Sequence, residues 1–360
     1  IVDSIEDFYE GDVVVINKQG EIIFVYEINS NHNALMATER CNHRCIMCPQ
    51  PPILQEKDKT PFNQKLISLF DKSTQEIGIT GGEPTLIGDN LFTLINHIKK
   101  VLPQTAISIL SNGVKFADKE YAMKLAKCRH QDLQIDIPLF SDIAEEHNRI
   151  VGAKTFYKTV QGLYNLALFR QRIGLRIVVH KQTYKRLPQF ADFIYHNFPF
   201  VAQIAFMQME TTGLAKENFD ELWIDPYDYN RELREAVLLL ADRGMKPYIY
   251  NAQLCVLPED IRCYVERAGE PAAGVERRRF GVAGCGEERR RGEDGQKKTH
   301  LFHHFECGTY LYASPEVAKI EQDFQQTLAK CVRADAELLK NDPFMRKLIG
   351  PGMRIIAPLL

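Results

Sequence analysis

Three cysteines, Cys41, Cys45 and Cys48, stand in the stretch Cys41-Asn-His-Arg-Cys-Ile-Met-Cys48 as C-x3-C-x2-C. Three thiolates on so short a loop can take three corners of a small iron–sulfur cluster. An ordinary cubane takes four, so a triplet with no obvious fourth partner leaves one iron open to a ligand, and that iron is the reactive one. Two other readings use the same residues. One is a structural zinc site with His43 or a distant cysteine as fourth ligand, and the other is a set of inert buried thiols. Zinc motifs usually pair such a half-site with a second one further along, and none follows here. A second chemical element is Thr80-Gly-Gly-Glu-Pro-Thr85. Gly81 and Gly82 let the backbone turn sharply and come close to a ligand, and the Glu83 carboxylate can accept hydrogen bonds from a bound ammonium group. Pro84 suits the first turn of a following helix. Further on, Ser111-Asn112-Gly113 and Asp136, the latter followed by Pro138-Leu-Phe-Ser141, offer small polar groups that can hold ribose hydroxyls. Each of these segments is also explained by an ordinary turn.

The elements that must carry these residues follow from periodicity. Asp12–Asn17 and Glu21–Tyr26 are β-branched runs joined by Lys18-Gln-Gly20, which predicts a hairpin within residues 1–33. From residue 34, short apolar runs alternate with segments of helical period. The runs are 34–38, 76–80, 106–110, 133–137, 175–179 and 202–207. The helix candidates lie near 61–72, 89–101, 118–127, 155–172, 187–197 and 228–243. Such alternation predicts six βα units in a parallel sheet, forming either a partial barrel or an open doubly wound sheet. In a parallel barrel all loops leaving the C-terminal ends of the strands share one rim. The cysteines, Gly81-Gly82-Glu83, Ser111-Asn112, Asp136 and Met207-Gln-Met-Glu210 would meet there.

With 45 Lys and Arg against 47 Asp and Glu, the 360-residue chain has a net charge of −2, which argues against global binding to nucleic acid or anionic membranes. No apolar run approaches the length of a membrane span. Nine irregularly spaced cysteines do not suit a disulfide scaffold, so a reducing, cytoplasmic compartment is expected. Residues 262–300 hold eight Arg, seven Gly and six Glu but no Leu or Ile, and cannot build a core. They read as a solvated loop within a C-terminal extension, residues 256–360, whose helical period returns at 316–340. His300, His303 and His304 read as ordinary surface histidines. Glu145-Glu-His-Asn-Arg149 is a polar helix start that can also reach the rim.

The cysteine loop and the Gly-Gly-Glu segment, in that order on six βα units, resemble the radical S-adenosylmethionine (radical SAM) superfamily. The resemblance implies an α/β fold, a partial (βα)6 TIM-like barrel over residues 34–255, flanked by the N-terminal β-hairpin and an irregular, partly helical C-terminal extension. It implies a [4Fe-4S] cluster on Cys41, Cys45 and Cys48, with S-adenosylmethionine chelating the open iron. Cleavage to methionine and a 5′-deoxyadenosyl radical would start hydrogen abstraction, and a flavodoxin or ferredoxin would be the reductant. By position, Gly81, Gly82 and Glu83 would contact the methionyl amine, Ser111, Asn112 and Asp136 the ribose side, and Met207–Glu210 the adenine side. Met47 stands where the superfamily often has an aromatic residue for adenine. Within the superfamily the chain is similar to the C-type maturases of the His-Xaa-Ser repeat system, through Cys41–Pro52, Phe206–Lys216, Leu222–Pro226 and Tyr250–Pro258. This implies a peptide or protein substrate with such repeats. Cys255, Cys263, Cys285, Cys307 and Cys331 lack the close pairs that auxiliary clusters use. A small-molecule or nucleotide substrate, or a zinc-stabilised binding module, are the alternatives.

Overall fold

A computed structural model describes residues 8–265 of the chain, apart from Gln19, Leu54 and Lys57. The chain divides at Lys298, and the second part, Thr299–Leu360, lies outside the described residues. So do nearly all of the arginine-rich stretch, the three histidines at 300–304, and Cys285, Cys307 and Cys331.

The hairpin forms as its residues predict. Strand β1 (Val13–Ile16) pairs antiparallel with β2 (Ile22–Tyr26). Tyr26 anchors it to the next domain layer, stacked on Phe70 at 4.2 Å and hydrogen-bonded through its hydroxyl to Thr74 Oγ1 at 2.9 Å.

The remaining strands make one parallel sheet in simple sequence order. They are β3 (Asn33–Thr38), β4 (Glu76–Gly81), β5 (Ala106–Leu110), β6 (Leu133–Pro138), β7 (Arg172–Val179), β8 (Gln203–Gln208) and β9 (Pro247–Tyr250). The helices between them are α1 (Thr60–Ile67), α2 (Asn90–Val101), α3 (Lys119–Lys127), α4 (Ala144–Val151), α5 (Phe156–Leu168), α6 (Leu187–Asn197), the short α7 (Gly213–Glu217) and α8 (Phe219–Leu222), and α9 (Asn230–Asp242). A parallel sheet with neighbours consecutive in sequence is what right-handed crossovers on one face produce. Alternate strand residues confirm that face. Leu35, Ile77, Ile79, Ile107, Ile109, Ile135, Ile137, Ile173, Leu175 and Ile177 are fully buried and join one core with Leu94 and Ile98 of α2, Leu163 of α5, Ile194 of α6 and Leu240 of α9. The opposite face carries Gly78, Ser108, Asp136, Gly174, Arg176 and Ala205, small or polar residues unlike the branched layers that fill a closed barrel.

The sheet has one strand more than the six read from the pattern. β9 escapes that reading because it is four residues long and opens with Pro247. Proline is tolerated at the first residue of a strand, and β9 pairs with β8 as the last named strand of the sheet, with one further bridge from Ile249 to Val265. β7 begins three residues earlier than its apolar run, since Arg172 and Gly174 interrupt the hydrophobic pattern while their backbones still pair with Gln134 and Asp136. Among the described residues no helix is long and apolar enough to cross a membrane.

Candidate functional site

The cysteine loop leaves β3 at Thr38 and is pinned at its first residues by Glu56. That carboxylate accepts the Glu39 N–H at 2.9 Å, the Thr38 hydroxyl and, at 2.7 Å, the Lys59 ammonium. From there four other segments hold the loop. The turn after β4 donates Gly82 N–H to Thr38 O at 2.7 Å and Glu83 N–H to Arg40 O at 2.8 Å. The end of α4 accepts the N–H groups of Arg44 and Ile46 on Val151 O and Ile150 O, at 3.0 and 2.9 Å. The segment after β8 contributes Leu214 N–H to Cys48 O at 2.8 Å and Asn218 Nδ2–H to Ile46 O at 2.9 Å. The loop after β5 supplies Asn112 Nδ2–H to Asn42 Oδ1 at 2.7 Å. Every anchor is a loop or helix end beyond the C-terminal ends of the parallel strands, so the expected shared rim is present.

Glycines make these approaches possible. A β-carbon at Gly81 would overlap Thr38 O, and one at Gly82 would overlap Arg40 O. Gly213, at φ +54°, has the same relation to Pro49 O, and Gly152, at φ +66°, would set its β-carbon 2.7 Å from Arg44 O. The glycine pair was expected to permit close approach to a ligand; what it admits is the backbone of the cysteine loop itself. Gly152, Gly213, Asn42 and Asn218 carried no such signal in the sequence, because each acts only through a contact distant along the chain.

The Glu83 side chain turns inward onto protein donors. Its carboxylate is buried, and Oε1 accepts Thr85 N–H at 3.0 Å, Thr85 Oγ1–H at 2.6 Å and Ser111 Oγ–H at 2.8 Å, while Oε2 accepts Asn112 N–H at 2.6 Å. Burial pushes its pKa up, and the four donors oppose that push. A carboxylate so placed braces the β4 and β5 loops together. Ser111 and Asn112 are likewise engaged, the first on Glu83 and the second on Asn42 and, through Oδ1, Val114 N–H at 3.0 Å. Asp136 lies inside the sheet's concave face, accepting Ser108 Oγ–H at 2.9 Å and Gln134 Nε2–H at 2.8 Å. Gly174 keeps the space beside it, since a β-carbon there would overlap Asp136 Oδ1.

Beneath the loop is a separate apolar cluster of Met47, Phe140, Ile150, Val151, Met209, Ala215 and Leu222. Met47 packs in it and is buried. Of the two methionines of strand β8 and its exit, Met209 joins that cluster, while Met207 Sδ accepts the Arg176 Nε–H at 3.2 Å on the concave face. Glu210 Oε1 accepts Asn251 Nδ2–H at 3.3 Å. In α4, Asn148 Oδ1 caps Thr155 and Phe156, Arg149 bonds Gln182, and His147 is buried against Phe140 and Phe156.

The donor set suits a cluster. Burial pushes Cys41 up to about 11 and Cys45 up to about 12, and also raises Cys48; the neighbouring sulfurs add to the shift at Cys41 and Cys45. Thiolates in this loop are therefore unstable alone and gain from a positively charged iron group. Among the described residues no three His, Cys, Asp or Glu side chains gather as a single metal ion requires. His43, the alternative zinc ligand, is buried, held at Nε2 by Thr155 Oγ1 at 3.0 Å, and lowered by burial to about 4.

Fold and site together define a partial parallel barrel with a three-cysteine loop at its C-terminal rim. Residues 35–194 match the family model of the radical SAM superfamily. A GTP 3′,8-cyclase of Desulforamulus reducens is 26% identical over 174 residues, covering 47% of this chain and 52% of the relative. A Streptococcus mutans protein without an assigned function is 40% identical over 60 residues, 17% of this chain and 13% of that one. The chain thus spans no more than about half the length of these relatives. The crystal structure of Streptococcus suis SuiB bound to precursor peptide SuiA superposes with a TM-score of 0.51 at 14% identity, over 63% of this chain and 49% of SuiB, and shares the fold.

Proposed function

We propose that this chain is a radical SAM enzyme acting on a peptide or protein, in the manner of a His-Xaa-Ser maturase, with its chemistry in residues 34–255. The observation that carries the radical SAM reading is the joining of cysteine loop and glycine turn, backbone to backbone, through Gly82 N–H to Thr38 O and Glu83 N–H to Arg40 O. Cys41, Cys45 and Cys48 would hold a [4Fe-4S] cluster, which with S-adenosylmethionine supplies a one-electron cleavage that yields a hydrogen-abstracting radical. Gly81, Gly82 and Glu83 would meet the methionyl amine through backbone atoms, since the Glu83 carboxylate is committed to protein donors. Ser111, Asn112 and Asp136 set the polarity of the adjoining ribose side. A flavodoxin or ferredoxin is the proposed reductant. The peptide assignment draws on the maturase-like segments and on SuiB, described with its precursor peptide.

A second reading, a small-molecule or nucleotide substrate, is favoured by the GTP 3′,8-cyclase similarity. Anaerobic reconstitution separates these. The full chain should bind iron with acid-labile sulfide and form 5′-deoxyadenosine, and Cys45→Ala should form none while keeping its secondary structure. Turnover stimulated by a His-Xaa-Ser peptide supports the maturase, and turnover stimulated by GTP supports the nucleotide reading. Zinc without sulfide, or 5′-deoxyadenosine from Cys45→Ala, overturns the radical SAM assignment.

A further inference from the structure

The cysteine loop and the two segments that brace it from the sides of α4 and β5 are bonded into one unit. In the loop's stretch, residues 40–55, Arg44 N–H donates to Val151 O at 3.0 Å and the His43 ring meets Thr155 Oγ1, also at 3.0 Å. Asn42 Oδ1 accepts the Asn112 Nδ2–H at 2.7 Å. The bracing segments, 106–117 and 147–168, join each other through Thr159 Oγ1–H to Asn112 O at 3.2 Å and Asn165 Nδ2–H to Phe116 O at 2.9 Å. Together the three segments hold six basic residues, Arg40, Arg44, Lys115, Arg149, Lys154 and Lys158, and no Asp or Glu, in a chain whose acids outnumber its bases.

All six side chains are exposed, and among the described residues none forms an ion pair. What they touch is neutral: Arg40 donates to Leu86 O, Arg149 to Gln182 Oε1, and Lys115 lies over the Tyr121 ring. The acids that border the segments are engaged elsewhere. Glu39 and Glu56 hold Lys59, Glu146 accepts the Ser141 hydroxyl and Asp118 caps α3. Glu145 opens α4 at the end away from the loop. Beyond Cys48 the pattern stops, since α7 and α8 set Lys216 beside Glu217, Asp220 and Glu221. Between Lys154 and Lys158, at the start of α5, stands Tyr157, 76% exposed, with its ring edge-on to Phe156 at 5.4 Å. A solvated face normally mixes both signs of charge, whereas an exposed aromatic ring among unpaired basic side chains has the composition of a docking surface.

We propose that this face docks a small acidic one-electron carrier protein, with Lys154 and Lys158 steering it and Tyr157 as its apolar contact. The proposal rests on the reading of Cys41, Cys45 and Cys48 as cluster ligands. The carrier is oxidised by one electron as the cluster is reduced by one, and no group is transferred. An electron can cross packed protein to reach the loop, whereas hydrogen abstraction needs the substrate in contact with the radical, so a face outside the loop suits the electron donor better than the substrate. Opposite charge speeds such encounters and fixes their orientation, and salt weakens both effects.

The test uses the full chain, with an acidic flavodoxin and an acidic ferredoxin as probes. Binding is titrated by calorimetry at rising sodium chloride for Lys154→Glu/Lys158→Glu and for Lys18→Glu/Lys127→Glu, a control pair of exposed lysines elsewhere with the same change in net charge. Wild type and control should bind a probe, more weakly as salt rises. Lys154→Glu/Lys158→Glu should bind it about tenfold more weakly, with a shallower salt dependence. In reconstituted protein that variant should lose about tenfold in 5′-deoxyadenosine formation driven by sub-saturating carrier, and keep the rate driven by dithionite, a small reductant that needs no docking face. Absence of salt-dependent binding of both probes, unchanged carrier binding in Lys154→Glu/Lys158→Glu, or equal loss in the control pair overturns the proposal. A His-Xaa-Ser peptide whose binding falls in that variant while carrier binding holds assigns the face to the substrate and overturns it as well. Failure of wild type to form 5′-deoxyadenosine with dithionite is a different result, which overturns the radical SAM reading and this proposal with it.

Discussion

At the C-terminal end of the sheet, segments close in until no room remains for a β-carbon at Gly81, Gly82, Gly152 or Gly213, and the donors of the Glu83 network find acceptors. At the N-terminal end, the turns before β6 and β7 instead put Arg129 and Arg170 on left-handed backbone with their side chains exposed. The first end spends its polar groups on fixing a loop in place. The second leaves its charged side chains in solvent. A preorganised site for a large group needs the former, because loop geometry must be settled before the group arrives.

The contrast can be broken most severely at Gly82. Gly82→Ala drives a β-carbon into the Arg40 carbonyl, and we expect a loss on the order of 3 kcal/mol together with failure to load iron. Gly20→Ala, with open space but φ of +83°, should cost only about 1 kcal/mol. Chemical denaturation of the two variants measures the difference, and equal costs would mean that the loop yields freely.

Acid offers a graded test of the same end. Burial lowers His147 and His180 to about 4, His147 being packed by Phe140 and Phe156 with His43 nearby, and His180 lying near Arg149. The unfolded chain binds protons on these rings from pH 6.5 downward, whereas the folded chain does so only near pH 4. Stability present above pH 6.5 should therefore be lost as pH falls from 6.5 to 4, by up to about 1.4 kcal/mol per pH unit for each histidine. His147→Gln and His180→Gln should flatten that slope. The smallest effect is expected at the strut between the β3 and β5 loops. Asn42→Ala removes the acceptor of Asn112 Nδ2–H and should cost about 1 kcal/mol, read by the same denaturation.

Much of the frame was legible before folding was considered. Alternation of apolar strands and helical periods located β3 to β8 and the hairpin, because an internal strand buried by helices must be apolar whatever its neighbours are. β9 was not legible, since it is only four residues long and its first position tolerates Pro247. In the site, the cysteine spacing and the Gly-Gly-Glu segment stood out as local patterns. The inward turn of Glu83 did not, because its four donors come from Thr85, Ser111 and Asn112 on two different loops.

The sequence alone settled what is local: the donor atoms in the cysteine loop, the period of each element, the near balance of charge. Tertiary structure decided which atoms face one another. Whether a glycine meets a ligand or a carbonyl, whether a carboxylate reaches outward or braces two loops, and whether basic residues far apart in the chain share one face all depend on contacts between strands joined by helices. Those contacts follow from burying one face of the sheet, and no short window of residues encodes them.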